Sequence, residues 1–124
     1  EFNAYLLRDS TLSARVREVA LMRVVLARQC AYLWDHHVPL ARRAGLTPEE
    51  IAAIPAGDMA DEVDQLVVRA VDELACDHQL SDDTWAALGR HFDHRERMDL
   101  VFTAGGYSLL AQVVNTFGIV PEHD

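Results

Sequence analysis

Lysine is absent from this chain. All eleven basic residues are arginine, set against twenty Asp and Glu, for a formal net charge of −9 over 124 residues. No basic face stands ready for phosphates, which excludes nucleic acid as a partner. Cysteine is scarce: Cys30 and Cys76 lie far apart and fit neither CxxC nor zinc-ribbon spacing, as in a reduced, cytoplasmic protein. His36 and His37 have no His, Asp or Glu four residues further on, so no metal is expected. No apolar run approaches the length of a membrane span and no signal peptide is visible, so no membrane association is expected. The chain begins at Glu1 without a methionine, which leaves room for residues upstream. Strand alternation, internal repeats and low-complexity linkers are missing as well. What remains is an all-α chain, one domain over 1–124 by length.

Helical punctuation is plentiful. Residues 1–8 read as the tail of an amphipathic helix with Phe2, Tyr5 and Leu6 on one side. Ser10 or Ser13 can cap the next helix, which carries Val16, Val19, Ala20, Arg23, Val24 and Ala27 at helical spacing and continues toward Cys30. A further helix spans roughly Tyr32 to Ala44 and stops at Gly45, with Pro39 expected to kink or break it. Thr47-Pro48-Glu49-Glu50 forms a capping box before a short helix at 51–54. Val63, Leu66, Val67, Ala70, Val71 and Leu74 follow the pattern of a core-facing helix. Ser81 and the Asp93/Glu96 pair start two more. The last helix, roughly Arg95 to Phe117, is the most apolar. Gly105-Gly106 should interrupt it while letting another backbone approach, and Gly118 and Pro121 end it.

The chemistry is concentrated between Arg28 and Glu50. Cys30 and His37 are seven residues apart, roughly 10 Å if both lie on one helix, too far for direct contact. If a helix begins just after Cys30, its dipole favours the thiolate; a buried, inert Cys30 fits the spacing equally. His36 and His37 point about 100 degrees apart on a helix, so only one of them faces a given pocket. Tyr32, Trp34 and His36 are candidates to contact substrate, though Tyr32 and Trp34 are more often core or interface. Glu18 stands among Val16, Val19 and Ala20; a buried carboxyl is suited to proton transfer, whereas a surface Glu18 would pair with Arg15. It can meet His37 only if the chain turns back between them.

Glu18, eleven intervening residues, Cys30-Ala31-Tyr32-Leu33-Trp34-Asp35-His36-His37, and then the AxxAGLTPEEI stretch together resemble the carboxymuconolactone decarboxylase family, which includes the AhpD-like alkylhydroperoxidases. The family pattern is a glutamate, eleven residues, then CxxCxxxH. The likeness runs from about Leu12 to the end, where GGYSLLAQVVNTFGIVPE resembles the family's last helix. It implies an AhpD-like bundle of about six helices, assembled as a homo-oligomer (trimer or hexamer), with Glu18, Cys30 and His37 as catalytic residues.

Leu33 departs from the pattern. It replaces the second cysteine, and a two-cysteine peroxidase cycle needs a resolving thiol close by. Three readings follow. The first is a cofactor-free acid/base lyase or isomerase on a small organic acid or lactone, with His37 moving the proton, Glu18 orienting it, and Arg23 or Arg28 holding a substrate carboxylate. The second is a one-cysteine thiol peroxidase centred on Cys30. The third is a non-enzymatic oligomeric ligand-binding protein.

Overall fold

Residues 1–118 of the chain are described in a computed structural model. Helix α1 (Phe2–Ala4) runs into a π-helical turn over Tyr5–Asp9. It is followed by α2 (Ala14–Ala27), α3 (Ala31–Arg43), α4 (Pro48–Ala53), α5 (Glu62–Asp77), α6 (Asp82–Leu88) and α7 (His94–Phe117). No strand occurs among the described residues. The fold is the all-α bundle expected, with α2 to α7 as its six main helices among the described residues.

Local signals set the helix boundaries. Ser13 accepts from the Val16 amide and caps α2, so of the two serines it is Ser13 that acts. Thr47 and Glu50 bond each other's backbone in a full capping box, as Asp93 and Glu96 do at α7. Each box satisfies two donors that the helix itself leaves unpaired. Asp61 and Ser81 cap α5 and α6. Gly45 and Gly118 take the left-handed geometry that ends α3 and α7. Pro121 lies outside the described residues.

Helix α2 is the centre of the molecule. It packs against α3, α5 and α7, and Val16, Val19, Ala20, Leu21, Met22, Val24 and Val25 are all buried. Burial nearly all round marks an enclosed helix rather than the one-sided stripe read from the sequence. Leu21, Met22 and Val25 join the core, whereas Ala27 stays exposed.

Three other expectations need correction. Pro39 does not break α3, which runs through it. Its ring is on the exposed side, and the carbonyl it leaves unpaired, four residues back at exposed Asp35, is open to water. Gly105-Gly106 do not interrupt α7 either. A Cβ on Gly106 would lie 2.8 Å from Leu6 Cδ1 and from Phe2 Cζ, so this glycine admits side chains of the N-terminal segment, not another backbone. Finally, α7 is long and apolar enough by length and composition to cross a membrane, with mean hydropathy 1.2 over its best window. One face packs on α2 and α5, burying Leu100, Thr103, Ala104, Tyr107 and Ala111. The other exposes Phe102, Leu109, Val113 and Phe117.

Candidate functional site

The chain turns back between Glu18 and His37, as their meeting requires. Helix α2 ends at Ala27, Gln29 adopts a positive φ of 56°, and the Cys30 amide bonds Val25 O at 2.9 Å. The result is an α2–α3 hairpin. Helix α7 fastens its turn from outside: Asn115 Nδ2 donates to Arg28 O at 2.8 Å and Arg28 Nε donates to Ser108 Oγ at 3.0 Å.

Across this hairpin Glu18 Oε1 lies 2.9 Å from His37 Nδ1. Both residues are buried. The second oxygen, Oε2, accepts from Arg17 Nε at 2.8 Å. With both carboxylate oxygens accepting, Nδ1 is the donor of this hydrogen bond, so in the neutral imidazole Nε2 is the lone-pair nitrogen. Nε2 has no hydrogen-bond partner among the described residues. A buried carboxylate that fixes tautomer and ring plane while the far nitrogen stays free is the arrangement of an oriented general base.

The surface pairing of Glu18 with Arg15 does not occur. Arg15 instead spans three elements, donating to Glu50 on α4, to Asp64 Oδ2 on α5 at 2.6 Å, and to Gly45 O at 3.3 Å. Those two carboxylates raise the guanidinium's pKa. The Arg15 hydrogen bond in turn holds the Glu50 carboxyl below its ordinary value. This clamp fixes the end of α2 that carries Glu18.

Cys30 is buried at the residue preceding α3, and Cys76 is exposed on α5; both are free thiols. His37 is two turns into α3, about 10 Å along its axis from Cys30. Leu33 stands between them, one turn before His37 and buried. His36 is exposed and His37 buried, with their rings edge-on at 5.5 Å, so the pair divides as the helical angle requires. Tyr32 packs against His36 with centroids 6.1 Å apart. Tyr32 and Trp34 are half-buried against the core.

The structure does not bring Arg23 or Arg28 to His37. Arg23 is committed to the fold: it grips Asp72 with Nε at 2.9 Å and Nη2 at 3.0 Å, and donates to Ile54 O at 2.7 Å. Arg28 lies ten residues beyond Glu18, about 15 Å along the helix direction, on the wall of a cavity of about 430 Å³ between α2, α5 and α7.

Sequence reasoning missed Tyr107. It is buried in α7, with its ring edge-on to His37 at 5.4 Å and an interplanar angle of 89°. Burial, and then the Glu18 charge, push its phenol up to about 12. Only the GGYSLL stretch pointed toward it. Its partner lies seventy positions earlier, beyond any local spacing rule.

A small helical protein with a glutamate–histidine pair buried across its central hairpin is thus defined. The carboxymuconolactone decarboxylase family model matches residues 1–75, more than half of the chain, and the chain belongs to that family. The match carries Glu18, Cys30 and His37 and ends before α7, so the likeness of the last helix rests on structure. A crystal structure from Agrobacterium tumefaciens superposes with a TM-score of 0.84 at 20% identity, covering 99% of this chain and 87% of the other. That protein is described as of unknown function and as a candidate antioxidant defence protein, AhpD. At this identity the likeness establishes the fold. No curated protein matches the chain in sequence.

Proposed function

We propose that Glu18 and His37 form the acid/base pair of a cofactor-free lyase or isomerase acting on a small organic acid or lactone. One observation carries the reading: a buried carboxylate orients the imidazole through Nδ1 at 2.9 Å while Nε2 has no partner among the described residues. Nε2 takes a proton from carbon next to a carbonyl or carboxyl group and returns it elsewhere. Such positioned proton transfer contributes on the order of 10²–10⁴-fold in rate.

The test is proton exchange in D₂O, followed by NMR, over a panel of γ-lactone acids and short carboxylic acids. Glu18→Gln and His37→Ala should lower exchange at least about a hundredfold, and Cys30→Ser should leave it unchanged. No exchange with any panel member, or exchange indifferent to His37→Ala, would sink the reading.

A second reading is a one-cysteine peroxidase. It is favoured by the place of Cys30 at the residue preceding α3, on the same helical face as His37, and by the description of the Agrobacterium protein. It requires Cys30→Ser to abolish thiol-dependent peroxide consumption. Burial of the sulfur and the interposed Leu33 make it second.

For assembly we propose a homo-oligomer, a trimer or hexamer, formed through the exposed apolar face of α7. Phe102 is 52% exposed, Leu109 53% and Phe117 75%, and large apolar side chains exposed together along one helix face mark a surface for a partner. Light scattering should show an oligomer that Leu109→Asp reduces to monomer.

A further inference from the structure

We propose that Tyr107 is the second ligand-facing group of this site, its hydroxyl donating a hydrogen bond to the oxygen of a ligand bound beside His37 Nε2. The inference rests on the acid/base reading of Glu18 and His37 and adds to it the group that receives the developing charge.

The first support is a contrast within the chain. A buried tyrosine ordinarily spends its hydroxyl on a protein partner. Even the half-buried Tyr5 does so, donating to Asp99 Oδ1 at 2.5 Å. The Tyr107 hydroxyl has no partner among the described residues, although the residue is only 3% exposed. The one fully buried side-chain polar atom lacking a partner there is Thr103 Oγ1. The phenol oxygen and His37 Nε2, both without partners, therefore each keep a sliver of accessible surface. Two adjoining buried rings leave their one unused polar atom open.

The second support is distance. The ring centroids lie 5.4 Å apart, and a phenol oxygen stands one ring radius and one bond beyond its centroid. Nε2 stands one ring radius from its own centroid, so the two polar atoms are no farther apart than 5.4 Å plus these lengths, a gap that one small organic acid can bridge through a hydrogen bond at each end.

The third is chemistry. When Nε2 takes a proton from the carbon beside a carbonyl, the C–H pair becomes the C=C bond and the carbonyl π pair moves onto oxygen. A prearranged donor at that oxygen lowers the barrier, which is worth about 10²–10³-fold in rate in measured cases. The phenol stays protonated across the working range, since burial and the Glu18 charge hold it near 12.

Formate, the smallest carboxylate, tests this without knowledge of the substrate. Formate is titrated into protein carrying ¹³Cζ-tyrosine and ¹⁵N-histidine, with the resonances of Tyr107, Tyr5 and His37 followed. The Tyr107 and His37 Nε2 signals should move together with one Kd while Tyr5 stays still. Tyr107→Phe, which keeps the ring contact, should weaken the Kd read at His37 by about tenfold or more. A His37 response with an unchanged Kd in Tyr107→Phe, or a motionless Tyr107 signal, reduces Tyr107 to packing and leaves the Glu18–His37 reading standing. If neither signal moves, both readings fall. A Tyr107 response in a protein that exchanges no carbon-bound protons keeps the donor and removes the reaction.

Discussion

Glu18 Oε1 and His37 Nδ1 meet at 2.9 Å across the α2–α3 hairpin, with Arg17 on the opposite carboxylate oxygen. Removing the carboxylate strips two partners at once from a buried cluster, and breaking a buried charged pair typically costs about 3–5 kcal/mol. Glu18→Ala should therefore destabilise the fold by about 3 kcal/mol in urea unfolding. Glu18→Gln retains an acceptor and the same shape, and should cost about 1 kcal/mol. Equal and negligible effects from both would show that the pair contributes nothing to stability.

Leu33 occupies the position one turn before His37, on the face that also carries Cys30. A thiol there would lie next to the imidazole, with Cys30 three residues back as resolving partner. Leu33→Cys should gain peroxide consumption driven by a dithiol and form an intramolecular disulfide with Cys30, detected as a loss of two hydrogens in mass. The wild type should show neither. Loss of the buried leucine should cost about 2 kcal/mol or more, so the comparison belongs well below the melting range. A variant that folds and stays silent would show that Leu33 is not what separates this site from the two-cysteine chemistry.

Much of this architecture was legible because its causes are local. The Thr47/Glu50 and Asp93/Glu96 boxes and the Ser81 cap are short-range devices, and they hold as read. The motif placed Glu18, Cys30 and His37 in order, but their relation depends on a turn closed by the left-handed Gln29, which no glycine announces. What failed was long-range. Arg15 finds Asp64 and Glu50 rather than Glu18 three positions away, because the burial of Glu18 is decided by α3. Arg23 is claimed by Asp72, forty-nine positions on, and Tyr107 reaches His37 only through packing of α7.

The adjacent glycines of α7 should respond in opposite directions. Gly105 is exposed in mid-helix and a Cβ there meets nothing within 4 Å. Gly105→Ala should stabilise by about 0.5–1 kcal/mol through helix propensity and a less flexible unfolded chain. Gly106→Ala gains the same propensity, but its methyl would press on Leu6 Cδ1 at 2.8 Å, and Leu6 is fully buried. Overpacking costs about 1–3 kcal/mol, so the net should be destabilising. Thermal melts of the two single variants decide it, and a stabilised Gly106→Ala would mean that the N-terminal segment yields freely.

Glu73 ties α5 to the start of α6. It accepts from the Ser81 amide at 2.8 Å, from Thr84 Oγ1 at 2.5 Å and from Arg69 Nε at 3.2 Å. The Ser81 and Thr84 hydrogen bonds hold its carboxyl down to about 2, from an ordinary 4.5. Because the folded value is the lower one, the stabilisation is complete above the unfolded value of about 4.5 and is lost as pH falls from there toward 2. Glu73→Gln should cost about 1–2 kcal/mol at pH 7, given the usual worth of hydrogen bonds to a charged group. The gap between wild type and variant should close progressively below about pH 4.5. Urea midpoints of both proteins at pH 7, 5, 4 and 3 measure it. A gap that persists unchanged at pH 3 would assign the cost to lost geometry at the α6 cap rather than to the charge of Glu73.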